Sequence, residues 1–241
     1  MLPELHGKPF RFKQFDVYQS RSAMRVGTDG VLLAAWADVG SAKHILDVGS
    51  GTGVIALICA QRNHSALIEA IEMDEGSAED AKLNFENSLW HSRLKIYRGD
   101  FLKISTGEKF DHIISNPPYF TQSLRAANPI RSAARHDDSL PAEAFMEKSR
   151  SVLLPDGKIS LIFPTSELKR WSFAAQASGF FPRKVCHVFT RPYKESSRVL
   201  VQFSRGLEPE PLMESLLIEK SQGEFSEAYR NLTFELYTKW G

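Results

Sequence analysis

Short apolar runs alternate with longer amphipathic segments along the middle of the chain. Runs of four to six residues rich in Ile, Leu and Val predict strands at 44–48, 67–71, 94–97 and 110–115. Apolar residues at helical spacing predict helices at 54–62 and 75–88, between the strands. Because strands and helices alternate, we expect a mostly parallel sheet with helices on both faces.

The alternation resumes after a long interval, 119–140, that shows neither a helical nor a strand period. Helices are predicted at 141–153 and 166–178, and strands at 158–163, 183–190 and 198–204. The sheet would then have seven strands, and its last two strands are expected to pair antiparallel at one edge. Near the start, alternation over 10–20 predicts a half-buried strand, and a short helix follows Thr28 and Asp29.

Composition narrows the class of protein. Of the 241 residues, 42% are hydrophobic and 24% are charged, as in globular domains. The longest strongly apolar run, 54–60, is far shorter than the ~20 residues that span a bilayer, and the first residues lack the pattern of a signal peptide. Cys59 and Cys186 have neither CxxC spacing nor a nearby pair of histidines. We therefore expect a cytoplasmic protein that uses no metal and no membrane.

A glycine-rich turn joins the first strand of the alternating region to its helix. It reads Asp47-Val-Gly49-Ser-Gly51-Thr-Gly53, and such a turn exposes helix N-terminal amides to a ligand. The glycines do not match the GxGxxG spacing of dinucleotide sites, and no lysine follows as in a phosphate-binding loop. Asp47 would repel a pyrophosphate, but it suits a cationic amine. The turn thus predicts a ligand with an amino group.

Two further acids follow the next two strands. Glu72 stands 21 residues after Gly51, where a carboxylate can bind the hydroxyls of a ribose, and Asp100 could accept a hydrogen bond from an adenine amine. An amine, a ribose and an adenine without a phosphate describe S-adenosylmethionine. Over residues 40–165 the pattern resembles class I S-adenosylmethionine-dependent methyltransferases, which implies a Rossmann-like α/β fold.

The segment Ser115-Asn116-Pro117-Pro118-Tyr119 follows the fourth strand, at the edge where open α/β sheets bind ligands. The Asn116 side-chain carbonyl and the Pro117 main-chain carbonyl could accept hydrogen bonds from the two N–H groups of a planar amine. Tyr119 could stack on a flat substrate. The segment resembles the (N/D)PP(Y/F/W) motif of amino-methyltransferases, which act on adenine N6, cytosine N4 or glutamine amide nitrogen. We predict Asn116, Pro117 and Tyr119 as catalytic residues.

Both ends of the chain resemble the bacterial tRNA1(Val) adenine-N6 methyltransferase family. The resemblance lies in 18–33, which contains Arg25-Val-Gly-Thr28-Asp-Gly30, and in 223–237, where Leu236 replaces an expected Phe. It implies N6-methylation of adenosine 37 in one valine tRNA, with Thr28 in the cofactor site. It also implies a single domain over 1–241, made of a cofactor-closing element (1–40), a core (41–206) and a C-terminal extension (207–241).

The net charge of +1 conceals an uneven distribution. Residues 119–136 carry +3 and residues 180–205 carry +5, whereas 207–241 carry −4. Basic groups near the catalytic edge would hold an RNA backbone. We therefore predict a monomer that binds the anticodon loop of a tRNA through Arg125, Arg131, Arg135, Arg191, Lys194 and Arg198.

Other functions remain open at this stage. The same motif serves N5-glutamine methyltransferases that act on proteins, although only 43 residues precede the first strand of the alternating region, too few for their usual helical domain. Adenine methylation of another RNA or of DNA is a second alternative, but the chain leaves little room for a DNA-recognition domain. A non-catalytic binding module would be expected to have lost one of the motifs, and both are intact.

Overall fold

One eight-stranded sheet organises the chain. The computed structural model describes residues 7–22, 24–105, 107, 109–118, 140–206 and 210–240. The strands are β1 Phe10–Arg11, β2 Asp16–Val17, β3 His44–Val48, β4 Leu67–Glu72, β5 Leu94–Arg98, β6 Phe110–Ser115, β7 Leu153–Pro164, β8 Phe180–Phe189, β9 Arg198–Arg205, β10 Leu212–Leu217, β11 Glu219–Ser221 and β12 Glu224–Phe225. The helices are α1 Thr28–Trp36, α2 Val54–Arg62, α3 Glu75–Glu86, α4 Ala142–Val152, α5 Leu168–Ala177 and α6 Glu227–Thr233, with 3₁₀ turns at His91–Arg93, Thr165–Glu167 and Thr238–Trp240.

The strand order in the sheet is β10-β8-β9-β7-β6-β3-β4-β5. All neighbouring pairs are parallel except those made by β9, which runs antiparallel to both β7 and β8. The Rossmann-like α/β class is confirmed, with two corrections. The sheet has eight strands where seven were predicted, and its reversed strand lies third from one edge. The additional strand, β10, comes from the C-terminal extension, where the sequence analysis predicted no strand, and it pairs with β8 along six residues.

The two faces of the sheet bury separate cores. Successive residues of β3 point to opposite faces, so that Ile45 packs with α1 and α2, whereas Leu46 packs with α4 and α5. Helix α1 is buried along nearly its whole length, from Gly30 to Trp36, because it lies between α2 and α6 over the sheet. The glycine turn therefore starts from the fully covered centre of the sheet.

The prediction of a single strand near the N-terminus was wrong. Residues 10–20 make two short antiparallel strands, β1 and β2, where a single strand was predicted. Phe12 pairs with Tyr237 in an isolated bridge, and the two rings stack with centroids 5.7 Å apart. The N–H of Lys13 also donates to the carbonyl of Leu236 at 2.8 Å. Contacts with the far end of the chain thus shape this hairpin, and local periodicity cannot reveal them.

Candidate active site

The glycine turn stands at the carboxyl end of β3, in the middle of the sheet. Gly49, Gly51 and Gly53 all have positive φ, at 69°, 54° and 80°. A side chain at Gly49 or Gly51 would meet no atom within 4 Å, whereas one at Gly53 would come within 2.5 Å of the Phe85 ring. The first two glycines therefore leave the backbone open to a ligand, and the third lets α2 pack against α3.

Asp47 lies beneath this turn. Its side chain is fully buried, and Oδ2 accepts a hydrogen bond from the N–H of Ala56 in the first turn of α2 at 3.2 Å. Oδ1 is buried and has no hydrogen-bond partner among the described residues. Burial raises the pKa of Asp47 to about 8, against the opposing effect of the Ala56 hydrogen bond. The carboxyl is thus a buried group with one unsatisfied oxygen, at the turn that the sequence predicts to bind an amine.

Glu72 ends β4 beside the turn and holds two loops. Its Oε2 accepts from the N–H of Gly51 at 2.8 Å, and its Oε1 accepts from the N–H of Asp74 at 2.8 Å. Each carboxylate oxygen retains a further lone pair for a ligand hydroxyl. The sequence pattern predicted a ligand-binding acid here, but it did not show that Glu72 also fixes the conformation of the glycine turn.

Asp100 follows β5, one strand further along. Its Oδ1 accepts from the N–H of Leu102 at 2.9 Å, and Oδ2 lies 3.2 Å from the ammonium of Lys103. From β5 to β6 the sheet places Asp100, Glu72, the glycine turn and Asn116 at the ends of four adjacent strands, which span about 14 Å. Along the sheet edge, the acid predicted to bind adenine comes first, the acid predicted to bind ribose second and the turn predicted to bind the amine third. Because S-adenosylmethionine carries these three groups in the same order, the residues present fit this cofactor.

Asn116 follows β6 next to the glycine turn. Ser115 is paired with Val48 in register and donates a hydrogen bond to its carbonyl at 2.7 Å, which ties the end of β6 to the end of β3. Within the described residues, the Asn116 Oδ1 is buried and has no hydrogen-bond partner. Pro117 is buried and Pro118 is exposed, whereas the predicted stacking residue Tyr119 lies outside the described residues. The structure therefore places an unused acceptor beside the cofactor turn.

The segment before α1 crosses α3 next to the turn. Asn84 exchanges hydrogen bonds with the main chain of Tyr18, at 2.7 and 2.8 Å, and also donates to the carbonyl of Thr52 at 2.9 Å. Asp80 Oδ2 accepts from the N–H groups of Arg21 and Ser22, both at 2.9 Å.

The sequence analysis missed both Asp80 and Asn84. The feature that could have revealed them is their spacing, which puts both polar residues on the same helical face as Ala81 and Phe85. All four side chains are buried. This segment leads to Thr28, the predicted cofactor residue, which is exposed at the start of α1.

The predicted RNA-binding cations divide into two groups. Arg125, Arg131 and Arg135 lie outside the described residues. Arg191, Lys194 and Arg198 lie around the loop from β8 to β9, at the same edge as Asn116. Arg198 Nε donates to Asp29 Oδ2 at 2.7 Å, and Arg191 Nε lies 3.1 Å from Glu219 Oε2, whereas Lys194 is exposed.

The remaining cations of 180–205 lie near the opposite edge of the sheet. Arg183 donates to Ser204 Oγ at 2.6 Å, Lys184 lies 3.2 Å from Glu214, and Arg205 donates to the carbonyl of Arg150 at 2.7 Å. The +5 charge of this segment is therefore shared between two edges of the sheet, and of these cations only Arg191, Lys194 and Arg198 lie at the edge that carries the site.

Membrane and metal features were sought in the same part of the chain. None of its described helices is long and apolar enough to cross a membrane. Nor do three or more His, Cys, Asp or Glu side chains of those residues gather where they could hold a metal ion.

The fold resembles solved methyltransferase structures. A crystal structure from Agrobacterium tumefaciens, described as a predicted O-methyltransferase, superposes with a TM-score of 0.69 at 22% sequence identity. The match covers 86% of this chain and 96% of that one. At this identity the likeness concerns the fold alone. Together with the glycine turn and its acids, the fold defines a class I methyltransferase.

The sequence itself identifies the family. The sequence model of the family described as the methyltransferase small domain matches residues 17–170. A tRNA1(Val) (adenine(37)-N6)-methyltransferase of Bacteroides thetaiotaomicron is 42% identical over 229 residues, covering 95% of this chain and 96% of the relative. One of Vibrio vulnificus is 39% identical over 235 residues, covering 98% of each. The chain belongs to the methyltransferase small domain family and, within it, to the tRNA1(Val) (adenine(37)-N6)-methyltransferases.

Proposed function

We propose that this protein methylates N6 of adenosine 37 in tRNA1(Val), with S-adenosylmethionine as methyl donor, as a monomer in the cytoplasm. The names of relatives that align over 95% or more of the chain support this substrate. The observation that carries the chemistry is the buried Oδ1 of Asn116, which has no partner among the described residues and lies beside the glycine turn.

Each residue of the cofactor cleft has one task in this proposal. Asp100 accepts from the adenine amine, Glu72 binds the ribose hydroxyls, and the open backbone at Gly49 and Gly51 admits the amino acid end. The unsatisfied Oδ1 of Asp47 lies beneath the turn and would accept a hydrogen bond from the ammonium group. The segment 1–40, with Thr28, closes the cleft. When bound, the cofactor supplies an electrophilic methyl group.

Asn116 makes the target amine reactive. The lone pair of an adenine amine is delocalised into the ring, so the nitrogen is a poor nucleophile. The Asn116 side-chain carbonyl and the Pro117 main-chain carbonyl accept hydrogen bonds from its two N–H groups. These two acceptors stabilise the positive charge that develops on nitrogen as the N–C bond forms and the methyl–sulfur bond breaks. The nitrogen then loses one proton to water, so the chain needs no side-chain base.

Adenosine 37 must leave the anticodon loop to reach this acceptor. Unstacking the base costs a few kcal/mol, and contacts between the protein and other parts of the tRNA must offset this cost. Tyr119 would stack on the extruded base. We assign the backbone contacts to Arg191, Lys194 and Arg198 and, from the sequence alone, to Arg125, Arg131 and Arg135.

The test is methyl transfer by Asn116→Ala from labelled cofactor to separate pools of RNA, DNA and protein. We expect the wild-type protein to label only RNA, at an N6-methyladenosine of tRNA1(Val). Asn116→Ala should lose about 10²–10³-fold in kcat, as when one donor or acceptor of a charge-stabilising site is removed, with cofactor Kd within twofold of wild type. Asn87→Ala, at the exposed end of α3, is the matched control and should remain active. Normal turnover by Asn116→Ala, or labelling of protein instead of RNA, would refute the proposal.

A further inference from the structure

A second cavity opens at the same edge of the sheet as the cofactor cleft, and Thr28, the predicted cofactor residue at the start of α1, is one of its lining residues. Its volume is about 800 Å³, and it lies between the β1–β2 hairpin, the loop after β8 and the C-terminal residues. Strands β8 and β10, whose ends reach it, stand three and four positions from β6 in the sheet, or about 14–19 Å. The cavity is therefore separate from the Asn116 site, but one extended polymer could reach both.

The walls of the cavity are basic. Four cations line it, Arg11, Arg191, Lys194 and Lys239, against one carboxylate, that of Glu219. Glu219 is already paired with Arg191. Within the described residues no carboxylate lies within ion-pair distance of Lys194 or Lys239. The excess positive charge suits an anion such as a phosphate.

Aromatic rings fix one of these cations. The ammonium of Lys239 lies 3.9 Å from the ring centroid of Phe225, 4.4 Å from that of Trp240 and 4.8 Å from that of Tyr237. Rings at these distances attract the charge and hold it in place. Phe225 and Tyr237 also line the cavity, together with Phe10 and Tyr229. The cavity thus combines oriented positive charge with flat apolar surfaces.

Tyr193 stands between two of the lining residues in the chain, Arg191 and Lys194. It has φ of 62°, the one positive value among the described non-glycine residues, and its side chain is fully exposed. A tyrosine held in this rarely adopted conformation at a loop tip suggests a functional constraint. An exposed aromatic ring beside cations is the arrangement that binds single-stranded nucleic acids, where the ring stacks on a base and the cations hold the backbone.

We infer that this cavity is a second nucleotide-binding site, which holds a phosphate of the tRNA outside the target adenosine while Tyr193 stacks on an unpaired base. The inference rests on the proposed function, because it assumes an RNA substrate. The site adds binding energy at a distance from the reacting atoms, so it should act on tRNA affinity and not on the methyl-transfer step.

The experiment compares Tyr193→Ala and Lys194→Ala with Phe173→Ala and Lys43→Ala. The control residues are an exposed aromatic on α5 and an exposed lysine at the opposite edge of the sheet. Binding of a full-length tRNA1(Val) transcript is measured over a range of salt concentrations, with kcat at saturating tRNA and the cofactor Kd.

We expect Tyr193→Ala to raise the tRNA Kd by about tenfold. Lys194→Ala should also weaken binding and make the slope of log K against log salt about 0.7–0.9 less steep, as for one lost phosphate contact. Tyr193→Ala should change neither kcat nor cofactor Kd by more than twofold, Lys194→Ala should leave the cofactor Kd within twofold of wild type, and both controls should behave as wild type. If the cavity variants bind tRNA as the controls do while the wild type methylates tRNA, the second site is refuted and the proposed function stands. If the wild type does not methylate tRNA, both fail.

Discussion

At the scale of single residues, the three glycines of the turn are required for two different reasons. A Cβ at Gly51 would meet nothing within 4 Å, so an alanine there is disfavoured only by φ of 54°. A Cβ at Gly53 would also lie 2.5 Å from the ring of Phe85, which is buried. Ligand access therefore explains Gly51, and packing of α2 on α3 explains Gly53.

Alanine substitutions should separate these reasons. Gly51→Ala is expected to lose about 1–2 kcal/mol of unfolding free energy from its left-handed backbone, and to weaken cofactor binding strongly because the methyl group fills the open cleft. Gly53→Ala adds overpacking of about 1–3 kcal/mol to the same backbone strain. Urea denaturation and calorimetric titration with S-adenosylmethionine would measure both effects. Gly40→Ala, with open space and no positive φ, is the control. Equal stability losses at Gly51 and Gly53 would contradict this assignment.

The edge positions of the predicted cleft residues could be read from the sequence, since Asp47, Glu72 and Asp100 each lie at or near the end of a strand whose apolar pattern is clear. Their contacts were not predictable. The hydrogen bond from the Gly51 N–H to Glu72 joins two strand ends and depends on the register of β3 with β4. A single sequence shows which side chains stand at an edge, but register is a property of the folded sheet.

At the scale of elements, the segment before α1 depends on α3 for its position. Asp80 accepts three hydrogen bonds from this segment, two from main-chain N–H groups and one from Ser22 Oγ at 3.0 Å. Close packing supports them, because a Cβ at Gly76 would lie 2.7 Å from the carbonyl oxygen of Arg21. The segment therefore stays against the cofactor side of α3.

Asp80→Ala should release this segment. We expect a loss of about 1–3 kcal/mol in unfolding free energy, faster tryptic cleavage after Arg21 and Arg25, and a several-fold higher cofactor Kd. Glu79→Ala is the matched control, since its ion pair with Arg21 is half exposed and contributes at most about 1 kcal/mol. The same cleavage rate in both variants would show that Asp80 does not hold the segment.

Most elements of the core could be predicted because their signals are local. The bounds of β3, α2 and β6 match the predicted ranges, and β4 is longer by one residue. The errors lie where distant residues decide the structure. The strand predicted at 158–163 is part of a longer strand, β7, which begins at Leu153, and the pairing register with β6 shifts within it. Likewise, β10 forms because β8 offers it a partner along six residues.

At the scale of the whole molecule, two buried titratable groups lie in adjacent central strands. Burial raises the pKa of Asp47 in β3 to about 8, and burial together with the charge of Lys158 lowers the pKa of His112 in β6 to about 4. His112 is fully buried, and its Nε2 lies 2.8 Å from Ser160 Oγ. Both groups are therefore uncharged at neutral pH in the centre of the sheet, although unfolded Asp and His have pKa values of about 3.9 and 6.5.

These shifts have opposite effects on the stability of the fold. Between about pH 4 and 8 the folded chain keeps a proton on Asp47 that the unfolded chain has lost, so this group makes stability fall as pH rises. Between about pH 4 and 6.5 the unfolded chain binds a proton on His112 that the folded chain does not, so this group makes stability rise with pH. The two slopes, each at most about 1.4 kcal/mol per pH unit, oppose each other up to pH 6.5, and above it only that of Asp47 remains.

We therefore expect Asp47→Asn to remove a decline in unfolding free energy between pH 6.5 and 8, and to expose a rise between pH 4.5 and 6.5 that the wild type largely conceals. His112→Gln should do the opposite and steepen the decline with pH below 6.5. Urea denaturation of the three proteins at half-unit pH steps gives the slopes, and the difference between each variant and the wild type cancels the surface groups. Parallel curves for Asp47→Asn and the wild type above pH 6.5 would mean that Asp47 is ionised in the fold. Its carboxylate would then carry a full negative charge toward the cofactor amine before any ligand binds.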